Sequence, residues 1–137
     1  MTLFAAVLAL SLAQSPWLSG VSLRVDWDCG LAEAWVLPGS SEVHLCRGLW
    51  EMGGPYLAFA VAHEAARLAL RHRPRLDERE ALAQEMEADR LAVRWAGRDA
   101  AAAGCALLHG ALMAQPEAWW LRARVSALGC PALRISM

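Results

Sequence analysis

The chain has 137 residues, 57% of them hydrophobic, with 13 basic and 14 acidic side chains and a net charge of −1. That length suits one domain able to bury a real core, and high hydrophobicity with little net charge excludes an intrinsically disordered chain. The near-neutral balance gives no reason to expect nucleic acid as a partner, since that needs a basic face. No apolar run is long enough for a multi-pass membrane protein.

Leu3 to Leu12 is a ten-residue apolar stretch followed by Ala13-Gln14-Ser15-Pro16. Ser11 and Ala13 put small residues where a signal-peptide cut after Ala13 would want them. The segment therefore reads as a signal peptide over 1–13, leaving a single domain over 14–137 and a secreted or periplasmic location. It lacks a positively charged start, so a short buried element and an uncleaved membrane anchor stand as the other readings. Membrane contact is expected through this segment alone. Cys29, Cys46, Cys105 and Cys130 are even in number and fit export, with three disulfide connectivities open. None lies in a CxxC pair, which argues against zinc bound through thiolates.

Residues 17 to 50 alternate and turn. Ser22 to Trp27 has period two, Ala34 to Leu37 is a short apolar run ended by Pro38-Gly39, and Glu42 to Cys46 alternates again. These are predicted as short strands with a turn over Pro38 to Ser41. Gly53-Gly54-Pro55 closes the region. From Tyr56 onward the pattern is helical: about Leu57 to His72, ending before Pro74, then from an Asp77 cap, with Glu80 three residues on, to about Ala96 before Gly97. A third helix capped by Asp99 runs to about Ala114, and a fourth follows Pro116 and stops near Gly129. The predicted class is α+β, a small N-terminal sheet followed by a helical bundle.

Helical projection places polar groups where they do not belong. In the first long helix Leu57, Val61, Ala65 and Leu68 form one apolar side and Phe59, Ala66 and Leu70 another. A stripe of His63, Glu64, Arg67 and Arg71 runs between them. In the second, Glu80, Glu87, Arg90 and Arg94 make an ordinary solvated face. Glu85 and Asp89 sit in the middle of the opposite, apolar side beside Ala81, Leu82, Ala88, Ala92 and Val93. A buried unpaired carboxylate costs several kcal/mol or becomes protonated, so both need a cation, a metal or a donor. Arg67 or Arg71 is the simplest candidate.

The string A-F-A-V-A-H-E-A-A-R-L-A-L-R-H from Ala58 to His72, followed by E-M-E-A-D-R-L-A from Glu85 to Ala92, resembles the zinc metallopeptidases of the HtpX and CAAX prenyl endopeptidase type. Those carry an HExxH helix and a later ExxAD helix. Ala34 to Gly39 is similar to the family's N-A-F-x-x-P-G, and Val43 to Leu49 to its strand ending in R-G-L. Gln115-Pro116, followed by Arg122 and Arg124, is a fainter echo of the family's late His-Pro and Arg. The likeness spans about residues 31 to 128 and implies a minimal zincin-like metallopeptidase domain. By that resemblance His63 is a zinc ligand, Glu64 the general base, Glu85 the carboxylate ligand and Asp89 an acceptor orienting a ligand histidine. The strand at Val43 to Cys46 is then expected to present an edge that binds an extended peptide.

One departure is decisive for the chemistry. The family's second zinc histidine is Arg67 here, and a guanidinium has no lone pair to give a metal. His63 and Glu85 alone fall one short of the three protein ligands usual for catalytic zinc. His72 lies on the opposite side of its helix from His63, and His44 and His109 read as strand and surface residues. The reading adopted is a metallopeptidase-like, peptide-binding domain without activity, with Arg67 as a built-in cation paired to Glu64 or Glu85. An active zinc endopeptidase with an unusual ligand set is one alternative. A small helical interaction protein unrelated to peptidases is the other.

Overall fold

The structure is a computed structural model that describes residues 16–37, 39–73 and 77–131. The leader expected over 1–13 lies outside the described residues. Strands β1 (Ser22–Asp26), β2 (Ala34–Val36) and β3 (Glu42–Cys46) precede five helices. These are α1 (Arg47–Met52), α2 (Gly54–Ala69), α3 (Glu78–Ala96), α4 (Arg98–Ala114) and α5 (Trp119–Ala127). The fold is α+β with a small sheet ahead of a helical bundle, as the residue patterns predict.

The two apolar sides of α2 make it the central helix. Leu57, Val61 and Ala65 join Val43, Leu45, Leu49 and Trp50 in the core beneath the sheet. Phe59 and Ala62 face the other way, onto Ala92 of α3 and Ala100 of α4. Gly104 on α4 lies so close to the Phe59 ring that a methyl group there would collide with it. Trp17 stacks on Trp95 with ring centroids 5.7 Å apart, holding the entry segment against α3.

The strand order corrects one expectation. Within the sheet β3 is central, parallel to β1 on one side and antiparallel to β2 on the other. The strand Val43 to Cys46 therefore offers no free edge; the edges are β1 and β2. Strand order depends on which strand the chain inserts between the others, and alternation within one strand carries no record of that.

Element ends also shift for local reasons. The R-G-L segment is not strand: α1 begins at Arg47, where Gly48 passes under the backbone of Gly30 and Leu31 with no room for a side chain. Gly53 takes φ 57°, breaking α1 from α2, and Pro55 falls within the first turn of α2, where its missing N–H costs nothing. Asp77 does cap α3, accepting from the Glu80 N–H at 2.8 Å. Gly97, not Asp99, caps α4; Asp99 instead lies in the first turn, where a carboxylate favours the helix dipole. The fourth long helix starts at Trp119, later than Pro116.

Of the three possible connectivities the structure has Cys29–Cys46 and Cys105–Cys130. The first ties the β1–β2 loop to the end of β3, and the second ties α4 to the segment after α5. Two disulfides suggest an oxidising, extracellular-type environment. Among the described residues no helix is long and apolar enough to cross a membrane.

Candidate functional site

The polar stripe of α2 meets two carboxylates of α3, the half-buried Glu85 and the buried Asp89. His63, on α2, is held between them: its Nδ1 donates to Asp89 Oδ1 at 2.8 Å, and its Nε2 is 3.2 Å from Glu85 Oε2. Glu64 Oε1 lies 4.0 Å from the same Nε2. One turn along α2, Arg67 reaches both neighbouring acids, with Nη1 3.4 Å from Glu64 Oε2 and Nε 3.6 Å from Glu85 Oε1. Spacing dictates this, because residues three and four apart on a helix project side by side.

Arg124 of α5 completes the cluster. Its Nε donates to Asp89 Oδ2 and its Nη2 to Asp89 Oδ1, both at 2.8 Å, while Nη1 stands 3.6 Å from Glu85 Oε2. Asp89 is 1% exposed and accepts from both Arg124 and His63, so its burial is fully compensated. Sequence reasoning did not assign Arg124 a role. The only signal was its place after Gln115-Pro116 in the resemblance, since the contact spans 35 residues.

His72, His44 and His109 stay out of the site. His72 is 3.6 Å from Glu87, His44 stacks on Trp35 across the β2–β3 pair, and His109 pairs with the Pro131 carbonyl.

The cluster sets its own protonation. Burial opposes charge on His63, but the bonds to Asp89 and Glu85 outweigh it and push the pKa up to about 9. Burial dominates at Glu64 and raises its carboxyl, with His63 and Arg67 only partly offsetting it. Burial also works on Glu85 and Asp89, yet His63 and the arginines hold both below the usual carboxylate range. With His63 as imidazolium, three cations (His63, Arg67, Arg124) balance three carboxylates (Glu64, Glu85, Asp89).

Stability should therefore depend on pH with a definite sign. A histidine raised from 6.5 to about 9 contributes stability that is full below pH 6.5 and lost as pH climbs through 9. Glu85 and Asp89 act oppositely, their contribution vanishing as pH falls below the carboxylate range. The chain has no Lys, and its cysteines are all in disulfides, which leaves few other groups titrating in the upper window. Urea denaturation between pH 6.5 and 9 should show a loss on the order of 3 kcal/mol. A His63→Gln variant should flatten that slope.

The donor set can be tested against zinc. Donors on one tetrahedral zinc, with bonds of about 2.0–2.1 Å, stand roughly 3.3 Å apart, and His63 Nε2 and Glu85 Oε2 have that separation. The third position holds a guanidinium, which repels a divalent cation. Among the described residues no three His, Cys, Asp or Glu side chains are placed to hold a metal. The residues present do not fit a catalytic zinc site.

Beside the cluster runs an open groove of ≈ 440 Å³, walled by Glu33 and Trp35 of the β2 segment, Phe59 of α2 and Leu108 of α4, with His63, Glu64 and Arg124 opening onto it. Among the described residues no strand pairs with the outer edge of β2. The Cys46 N–H bonds to the Glu33 carbonyl at 2.9 Å, so in an antiparallel ladder Glu33 and Trp35 point their backbone groups at β3. Those of Ala34 and Val36 then point outward.

No protein-family model, curated protein or solved structure matches the chain.

Proposed function

We propose that the chain is a metallopeptidase-like domain without zinc catalysis that binds extended peptides along the free edge of β2. The observation that carries this reading is Arg67 lying between Glu64 and Glu85, beside His63. An imidazolium and a guanidinium together supply the charge of one divalent ion, so the carboxylates stay ionised without metal. Glu64 then has no metal-bound water to activate, and its role is to hold Arg67. The support for this reading is that His63 and Arg67 of the HEAAR segment lie within contact of Glu85 on α3, and His63 also of Asp89. The groove beside the cluster has a sheet edge whose outward Ala34 and Val36 groups can accept another strand. Export through a signal peptide over 1–13, to a secreted or periplasmic location, belongs to the same proposal and agrees with the disulfides.

Proline at Val36 removes an outward N–H while leaving the β2–β3 ladder intact. Labelled extended peptides should bind the wild-type chain without being cleaved and should lose at least about tenfold in affinity to Val36→Pro. Circular dichroism would check that the variant keeps its fold. Cleavage by the wild-type chain, or affinity unaffected by that proline, would contradict the proposal.

A further inference from the structure

β2 leads from the charge cluster into a second, wider cleft. This cleft, of ≈ 630 Å³, is bounded by Val36, Ser40, Arg67, Arg71 and Arg73, and among the described residues no carboxylate lines it. Among the described residues Arg71 and Arg73 form no ion pair, as holds also for Arg79, Arg90, Arg94, Arg98 and Arg122, but Arg71 and Arg73 are the two of these that line this cleft. Arg71 is also held in an unusual backbone state. It follows the last turn of α2 with φ 54°, while the His72 N–H closes on the Arg67 carbonyl at 3.0 Å. That left-handed position after a helix end favours glycine. The chain instead keeps a long cation there, at the mouth of the cleft.

We propose that this cleft receives an acidic side chain of the peptide bound along β2, so that the domain selects acidic peptides. The inference rests on the edge-binding reading above. A strand laid on β2 from Ala34 to Leu37 advances about 3.3 Å per residue. A residue lying over the His63 cluster thus has neighbours about two to four positions away beside Arg71 and Arg73. A carboxylate there meets the guanidinium donors of Arg71 and Arg73, which pair with no acid among the described residues, and charge-assisted bonds of this kind are the strong ones. A lysine there meets repulsion instead.

The test uses the full chain and fluorescein-labelled hexapeptides with a Thr-Val-Thr-Val core. The core carries Glu-Glu, Gln-Gln or Lys-Lys at one end, at the N-terminal or C-terminal side in separate peptides. Anisotropy should show a Glu-Glu peptide binding about tenfold tighter than its Gln-Gln counterpart, with Lys-Lys weakest. The advantage should shrink with added salt and vanish in an Arg71→Gln/Arg73→Gln variant, while that variant still binds the Gln-Gln peptide normally. Equal binding of all peptides, lost in Val36→Pro, would overturn the acidic selection and leave edge binding standing. Absence of binding by every peptide would overturn both.

Discussion

Replacing Arg67 by histidine should make this chain bind about one zinc ion per molecule. Position 67 is four residues from His63 on one face of α2, and the Arg67 side chain already reaches toward Glu64 and Glu85. Two of the donors stand as a zinc would want them, with His63 Nε2 3.2 Å from Glu85. Asp89 holds the opposite ring nitrogen, which fixes the tautomer that offers Nε2 to a metal. The electrostatics also close. Removing the Arg67 charge and the proton on His63 takes away two positive charges, and one divalent ion restores them. Metal analysis of the dialysed Arg67→His protein should find about one zinc per chain. Zinc at a hundred times its dissociation constant should raise stability by about 2.7 kcal/mol. A folded Arg67→His variant without zinc would remove the basis for the proposed likeness to metallopeptidases.

The second large effect concerns the Asp89–Arg124 pair. Asp89→Ala strips two charged partners, His63 and Arg124, of a carboxylate that is 1% exposed. Breaking a buried pair from one side leaves an uncompensated charge and costs about 3–5 kcal/mol. Arg124→Ala should cost a similar amount, because Asp89 then keeps only His63. The double variant should lose clearly less than the sum of the two, since the residues share one network. Denaturant unfolding with both disulfides intact measures all three. Additive losses, or a cost below about 1 kcal/mol for Asp89→Ala, would show that the cluster is not held together as described.

What could be read in advance was local. The Asp77 cap lies three residues from its donor, and the burial of Asp89 follows from its place on the apolar helix face, although Glu85 on the same face is only half-buried. His63, Glu64 and Arg67 share a stripe for the same reason. The parts that escaped depend on distant pairings. Arg124 meets Asp89 only because α5 folds back across α3, and its own helix shows no pattern that demands a buried partner. The sheet edges are β1 and β2, not Val43–Cys46, because β3 inserts between its predecessors. Likewise the even cysteine count could not choose Cys29–Cys46 and Cys105–Cys130 from three pairings. R-G-L was placed on a strand only by the resemblance, whereas Arg47 opens a helix that buries Leu49 and Trp50.

The most direct test is zinc titration of the wild-type chain by calorimetry at neutral pH, after exhaustive dialysis. The wild-type chain should show no saturable heat up to about millimolar zinc, because Arg67 and a protonated His63 already balance the carboxylates. Binding of one ion at micromolar concentration or below, lost in Glu85→Gln, would contradict that charge balance.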